Sequence, residues 1–132
     1  MMLPLPDREF LERASITHRV FDDGTGMLSV ELIDFPLPEG LNATHANILF
    51  RLSMSYPDTP PDMWWIIPHL APVGGGMIAA TELIETYDGR SWQRWSRHLD
   101  AASWRSGIDS LESYVRLLRT ELAAAATVGV AA

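Results

Sequence analysis

The chain has 132 residues, 47% of them hydrophobic and 20% charged, which is typical of one soluble globular domain. It contains no cysteine, which excludes disulfides, thiolate zinc sites and a thiol nucleophile. The formal net charge of −7 argues against nucleic-acid binding, and no apolar run is long enough to span a membrane. The histidines lack the spacing of metal ligands. We therefore expect a cytoplasmic protein with no cofactor or metal, no nucleic-acid partner and no membrane partner.

The first half of the chain predicts a short helix followed by three strands. Residues 6–15 begin with a proline and an aspartate and carry acidic side chains early, as helices do. Residues 16–21, 27–35 and 46–54 alternate apolar and polar side chains, which is the pattern of strands with one buried face. The Asp-Gly pair within residues 22–26 favours a hairpin turn between the first two strands.

The second half predicts a fourth strand and a long helix. Residues 56–63 contain three prolines, which fix φ and remove amide donors, so we expect a rigid extended crossing. The apolar residues 63–67 predict a buried last strand of an antiparallel meander. Residues 68–104 predict a long irregular segment. Apolar residues at spacings of three and four then predict an amphipathic helix, with Ser106 as its cap, and the alanine-rich residues 124–132 predict a flexible tail.

This order of elements, with Tyr-Pro-x-x-Pro-Pro at residues 56–61 and Trp104 ahead of the last helix, resembles the ubiquitin-conjugating (E2) superfamily. The resemblance covers residues 6–123. The strings Trp-Ser-Arg-His at residues 95–98 and Trp-x-x-Gly-x-Asp from Trp104 are similar to divergent prokaryotic E2-like families. Such families lie in bacterial operons, including antiviral defence operons, with ubiquitin-like, E1-like and peptidase proteins.

The resemblance implies an α+β, UBC-like (E2) fold. Its expected parts are an N-terminal helix, a four-stranded antiparallel meander, a long irregular loop in the active-site region and a C-terminal amphipathic helix. It also implies partners: a ubiquitin-like protein and the E1-like or E2-like proteins of the same pathway.

The departures from the E2 pattern concern the chemistry. E2 proteins carry ubiquitin as a thioester on a cysteine, and this chain has none. Counting back from Trp104 by the interval usual in the family leads to Ser96, which would form an oxyester at best and would need a neighbouring base. The family's histidine-proline-asparagine motif, whose asparagine supports an oxyanion, is matched only by His69, because Leu70 and Ala71 follow it.

The sequence does not assign a catalytic residue, and Ser96 and His98 are the candidates for that role. They are separated by one residue, and a serine–histidine pair needs an orienting acid, for which Asp88 or Asp100 could serve. A structural or binding role is the stronger expectation for this segment, since a one-residue spacing is weak evidence for catalysis.

The segment around Ser96 is also rich in tryptophan and arginine, the residues enriched in interface hot spots. Such residues stack single-stranded nucleic acid or pack in a core with arginines at its rim. In an acidic protein, packing and protein recognition are the better interpretation. The predicted binding residues are Tyr56, Pro57, Pro60, Pro61, Trp92, Trp95 and Arg97.

The sequence therefore predicts a non-catalytic E2-like protein that binds a ubiquitin-like protein or its conjugation partners. One alternative is an active transferase or hydrolase of a ubiquitin-like tail that uses Ser96 and His98. Another alternative is an E2 enzyme whose cysteine has been mutated in this sequence.

Overall fold

The computed structural model describes residues 2–99 and 101–128, which form two α-helices, one short 3-10 helix and a six-stranded sheet. The helices are α1 (Leu5–Arg13), the 3-10 helix (Ala101–Ser103) and α2 (Leu111–Ala126). The strands are β1 (His18–Asp22), β2 (Leu28–Pro36), β3 (His45–Leu52), β4 (Met63–Ile67), β5 (Ile84–Tyr87) and β6 (Arg90–Ser96). No helix within these residues is long and apolar enough to cross a membrane.

All neighbouring strands are antiparallel, in the order β1-β2-β3-β4-β6-β5. The first four strands are the predicted meander. The prediction of only four strands is wrong, because the segment expected to be irregular contains the β5–β6 hairpin. This hairpin turns at Asp88 and Gly89, both at positive φ, and β6 then pairs with β4.

The main core lies between one face of the sheet and the two helices. β2, β3 and β4 contribute alternate residues such as Val30, Ile48 and Trp64, all fully buried. From α2, Leu111 and Leu118 pack against them, because the helix presents one apolar stripe to the sheet. We call this sheet face the inner face and the opposite one the outer face.

Helix α2 begins and ends later than the sequence predicts. Its cap is Ser110 rather than Ser106: the Ser110 side chain accepts from the amide of Glu112, and Ser113 completes a capping box. The helix continues to Ala126, and its last two alanines are buried against the core. The first residues of the predicted flexible tail are therefore helical, and residues 129–132 lie outside the described part of the chain.

The crossing between β3 and β4 is not extended throughout. Residues 54–58 form tight turns, in which the amide of Tyr56 donates to Ser53 O (3.1 Å) and that of Thr59 to Ser55 O (3.0 Å). The amides that donate in these turns belong to Tyr56 and Thr59, and no donor is needed at the proline positions. The prolines can therefore fix φ in this segment without breaking the turns. Pro60 and the buried Pro61 then lead into β4.

Candidate functional site

The crossing is held to both helices by hydrogen bonds. The Tyr56 hydroxyl donates to Asp7 Oδ2 (2.7 Å), and Asp7 Oδ1 accepts from the amide of Leu111 (3.0 Å), the first residue of α2. The Trp104 indole donates to Pro57 O (2.8 Å). Tyr56 and Asp7 are both buried, so Tyr56 itself offers little surface to a partner.

Beside these buried anchors, the crossing presents an exposed surface that we call the crossing ridge: residues 54–60 together with Ile108. Met54 is 78% exposed and Ile108 is 69% exposed. The turn that carries Ile108 is joined to the crossing by the hydroxyl of Ser106, which donates to Asp58. Pro57 and Pro60 are half-buried within this surface, whereas Pro61 is buried and has a structural role.

Ser96 lies at the end of β6, where it pairs with Met63 of β4. Its amide donates to Ala80 O (3.1 Å). His98 Nδ1 lies 2.8 Å from Asp62 Oδ1, and both side chains are mostly exposed. No hydrogen bond joins the Ser96 hydroxyl to His98 within the described residues.

The acid beside His98 is thus Asp62, and the expectation of Asp88 is wrong. Asp88 instead lies at the tip of the β5–β6 hairpin and accepts from Arg19 (2.6 Å) and Arg90 (2.9 Å). The other predicted acid, Asp100, lies outside the described residues. Because Nδ1 of His98 faces a carboxylate, its Nε2 is the nitrogen left to accept a proton.

The segment after β4, where the resemblance places His69, is clamped by two carboxamides. Asn42 Nδ2 donates to His69 O (3.1 Å) and Asn42 Oδ1 accepts from the amide of Ala71 (2.9 Å). The buried Gln93 accepts from the amide of Leu70 (2.9 Å) and donates to Leu70 O (3.0 Å). The backbone of residues 69–71 is therefore held in place, although these residues lack the asparagine of the E2 motif.

Trp92 and Trp95 are fully buried, so neither presents a surface to a partner. Trp95 lies in the main core beside Trp64, whereas Trp92 belongs to a second cluster on the outer face. This burial corrects the prediction that the two tryptophans contact a partner. β6 carries one tryptophan on each face, and both faces of the strand are covered. Arg97 lies over Trp95, donates to Ala79 O (2.9 Å) and has Glu121 3.6 Å away, so it is the partly buried rim of that core.

The outer face carries a buried ion network around Glu31, whose side chain is 2% exposed. Arg90 donates to both of its carboxylate oxygens, at 2.7 and 2.8 Å, and Asn47 and Arg19 add further hydrogen bonds. Hydrogen bonding from Arg90 is the main cause that lowers the pKa of Glu31 to about 2, against the opposing effect of burial. Glu31 therefore stays ionised at neutral pH.

A family model described as prokaryotic E2 family E matches residues 3–125. The chain belongs to this family. Searches of curated proteins and of solved structures found no match.

As a member of prokaryotic E2 family E, the chain has the helix–sheet–helix layout of an E2-like protein without a cysteine to carry a thioester. At the position that the resemblance assigns to the nucleophile stands Ser96, on a strand rather than in a loop. No group of three or more histidine or acidic side chains is placed to hold a metal ion in the described part of the chain.

Sequence reasoning missed Asn42, Asp62 and Gln93 as site residues. Asn42 precedes its partner Ala71 by 29 residues, and His98 lies 36 residues beyond Asp62, so no local spacing relates them. Gln93 alone could have been noticed in the sequence, because it is a polar residue between the two tryptophans of β6. In the structure, the indole N–H of Trp95 donates to Gln93 Oε1 (2.9 Å).

Proposed function

We propose that this protein is a non-catalytic member of a bacterial ubiquitin-like conjugation pathway. It binds a ubiquitin-like protein, or the E1-like or E2-like proteins that act on it, and positions them without carrying the ubiquitin-like protein itself. One observation carries the proposal: an E2 family model spans residues 3–125, and the chain contains no cysteine. An E2-like domain that cannot form a thioester retains its surfaces, and binding needs only these.

The crossing ridge is the surface that we propose for binding. Its backbone is anchored by Tyr56, Trp104 and Ser106, so little conformational entropy is lost when a partner binds. Two of its exposed side chains, Met54 and Ile108, are large and apolar, and the other exposed residues of the crossing, Ser55, Asp58 and Thr59, are polar. Protein interfaces combine such apolar contact residues with polar surroundings.

The test is to mix the protein with the E1-like and ubiquitin-like proteins of a bacterial conjugation operon, with ATP. Samples are compared by size-exclusion chromatography and on denaturing gels, with and without hydroxylamine or base. We expect a complex that co-elutes under native conditions and leaves no adduct in denaturant. Absence of any complex with each of these proteins would contradict the proposal.

A matched pair of methionines tests the surface. Met54 is 78% exposed on the crossing ridge, and Met77 is 81% exposed in the loop that follows β4. Met54→Glu should weaken the complex by about tenfold or more, equivalent to about 1.4 kcal/mol, whereas Met77→Glu adds the same charge and should leave affinity unchanged. Equal losses in both variants, or none in either, would show that the ridge is not the contact.

A second candidate function is acyl transfer or hydrolysis at a ubiquitin-like tail. The contact between His98 Nδ1 and Asp62 favours it, because it leaves His98 Nε2 as a base. Ser96, two residues before His98, would be the nucleophile. In the same assay, a base-labile adduct that is lost in Ser96→Ala would establish this function and exclude the non-catalytic one.

Two further variants refine that outcome. An adduct lost in His98→Ala but kept in Ser96→Ala would make the histidine the nucleophile. A thioester formed by Ser96→Cys would show that this position can do the work of the E2 cysteine, as the alternative of a mutated cysteine requires.

A further inference from the structure

Strand β5 forms one edge of the sheet, because within the described residues it pairs with β6 alone. In an antiparallel pair, alternate residues exchange hydrogen bonds with the neighbouring strand, and the residues between them direct their N–H and C=O groups to the other side. The residues that flank a two-residue turn exchange such bonds, so Tyr87 bonds to Arg90 across the hairpin turn. The N–H and C=O groups of Ile84 and Thr86 therefore lie along the free edge of the sheet.

The start of β5 combines these free backbone groups with exposed apolar side chains. The amide of Arg94 donates to Leu83 O (2.9 Å), so the same alternation of bonds to β6 continues at the residue before the strand. Leu83 is 50% exposed, Ile84 is 48% exposed, and Thr86 is exposed as well. A strand laid along this edge would contact apolar side chains while it pairs with the backbone.

The two edges of the sheet differ in their protection against a further strand. The opposite edge, β1, carries Arg19 and Asp22, and charged side chains on an edge strand hinder the addition of another strand. β5 contains no basic residue, no proline and no bulge. Its one acid, Glu85, is held on the sheet by the Trp65 indole (2.8 Å) and Arg94 (3.4 Å). The edge at β5 is therefore open to pairing.

The charge that remains along this edge is negative. Asp88, in the hairpin turn, is paired with Arg19 at 2.6 Å and Arg90 at 2.9 Å. Glu82, two residues before Ile84, is exposed, and its carboxylate makes no hydrogen bond or ion pair with any residue that the structure describes. A segment that pairs with this edge is therefore complementary to it when it carries a basic side chain.

A second copy of this chain fits the edge less well. Only one antiparallel register pairs all the free groups of Ile84 and Thr86 with those of a symmetry-related β5. That register places Glu85 directly opposite the same residue of the copy. Like charges directly opposite each other destabilise strand pairing, so the edge favours a different chain.

We infer that the free edge of β5 binds an extended basic segment of another protein, which adds one strand to the sheet. Hydrogen bonds to the backbone of Ile84 and Thr86 provide affinity. Apolar side chains of the segment pack against Ile84 and Leu83, and its basic side chain faces Glu82. This surface shares no residue with the crossing ridge, so the inference does not depend on the proposed function.

The probe is a capped hexapeptide in which valine alternates with threonine and one threonine is replaced by arginine. Its control carries glutamate in place of the arginine. Binding is followed by the NMR signals and the hydrogen exchange of the Ile84 and Thr86 amides. Because β5 offers few free groups, we expect a Kd of about 1 mM for the arginine peptide and binding at least about threefold weaker for the glutamate peptide. Both amides should exchange about tenfold more slowly at saturation.

Three results of this titration would overturn the inference. They are equal affinity of the two peptides, binding that leaves both amides unprotected, and no binding of the arginine peptide in the millimolar range.

N-methylation of the peptide distinguishes strand addition from a contact made by side chains alone. An added strand bonds to β5 through one alternate set of its amides and directs the other set away. N-methylation of one set should therefore abolish binding, whereas N-methylation of the other set should leave it. Equal effects of the two modifications would refute strand addition.

Variants localise the site. Thr86→Pro removes one free N–H and no bond to β6, and it should weaken binding by about fivefold or more. Ile84→Lys keeps the backbone and adds the kind of charge that blocks edge pairing, so it should also abolish binding, and it serves if Thr86→Pro fails to fold. Val20→Lys is the matched control, because Val20 is 38% exposed on the opposite edge strand, and it should change nothing. Unchanged binding in either folded β5 variant, or an equal loss in the control, would refute the site.

The oligomeric state of the protein without peptide is measured by analytical ultracentrifugation. The inference requires a monomer whose Ile84 and Thr86 amides exchange freely. A dimer that already protects both amides would show that a second copy occupies the edge, and it would overturn the inference.

Discussion

Replacing Tyr56 with phenylalanine removes one hydroxyl from the centre of the fold. That hydroxyl donates to Asp7 at 2.7 Å, and Asp7, which is 1% exposed, also accepts from the first amide of α2. The variant keeps the buried ring but leaves a buried carboxylate with one partner fewer. A hydrogen bond to a charged group contributes about 1.5–3 kcal/mol, so we expect Tyr56→Phe to lose about 2 kcal/mol of unfolding free energy.

Tyr56→Ala also removes the ring, which packs beside Trp104 with centroids 6.3 Å apart. Truncation of a large buried aromatic costs about 3–5 kcal/mol, so the alanine variant should lose clearly more than the phenylalanine variant. Tyr114→Phe is the matched control, because Tyr114 is equally buried but donates to a neutral carbonyl at 3.3 Å. Its loss should be about 1 kcal/mol or less.

Urea unfolding at pH 7 gives these free energies, provided that the m value is unchanged. A double-mutant cycle of Tyr56→Phe with Asp7→Asn isolates the pair, and a coupling energy above about 1 kcal/mol is expected. A loss below about 0.5 kcal/mol for Tyr56→Phe would refute the argument, because this is the range of surface substitutions.

Three other predictions concern the backbone and the charge network. Gly40 has φ +106, and a Cβ there would lie 2.5 Å from the carbonyl oxygen of Ala126, so Gly40→Ala should lower the free energy of unfolding in urea by about 3 kcal/mol. The control is Gly75→Ala, at φ +89 with open space around it, which should cost only about 1 kcal/mol. Equal costs would contradict the clash. The pKa of Glu31 is lowered to about 2 in the folded state, so its contribution to the free energy of unfolding is complete above its ordinary pKa of 4.5 and is lost as the pH falls from there towards 2. Glu31→Gln should therefore flatten the acid side of a stability–pH curve by an amount on the order of 2 kcal/mol. An unchanged curve would refute the network's role. Asn42→Ala should raise the hydrogen-exchange rate of the Ala71 amide by about tenfold with little change in global stability, and an unchanged rate would show that the clamp is not needed.

Three of the four strands that the sequence predicts correctly, β1 to β3, alternate apolar and polar side chains, whereas β4 is predicted from a continuous apolar run. β2 and β3 alternate around Val30 and Ile48, and their period of two is visible without any tertiary information. β5 and β6 were missed for opposite reasons. β5 is a four-residue edge strand with an exposed apolar residue at its start, and β6 is covered on both faces, so neither shows that alternation.

The candidate site was predicted less well than the fold, because its geometry depends on contacts between distant parts of the chain. The tryptophans of β6 look like interface residues in sequence, yet strand pairing with β4 buries Trp95 in one core and Trp92 in another. Conversely, Asp62 seemed only to end the proline-rich crossing, and the start of β4 brings it to His98. Propensities and periods describe neighbours along the chain and contain no information on such pairs.

The two faces of the sheet differ in a way that stability alone does not explain. The inner face is almost wholly apolar, whereas the outer face buries Glu31 against Arg90 and places Arg51 over Tyr87. Buried ion pairs are costly to desolvate, and apolar replacements of similar volume are often as stable or more stable. A face needed only for packing would gain little from these charges, and it would gain nothing from arginine donors that lack acceptors. The hydrogen bonds that Arg90, Asn47 and Arg19 donate to Glu31 offset part of that desolvation cost, so removing one of these donors should destabilise the protein more than replacing the whole network with apolar side chains of similar volume.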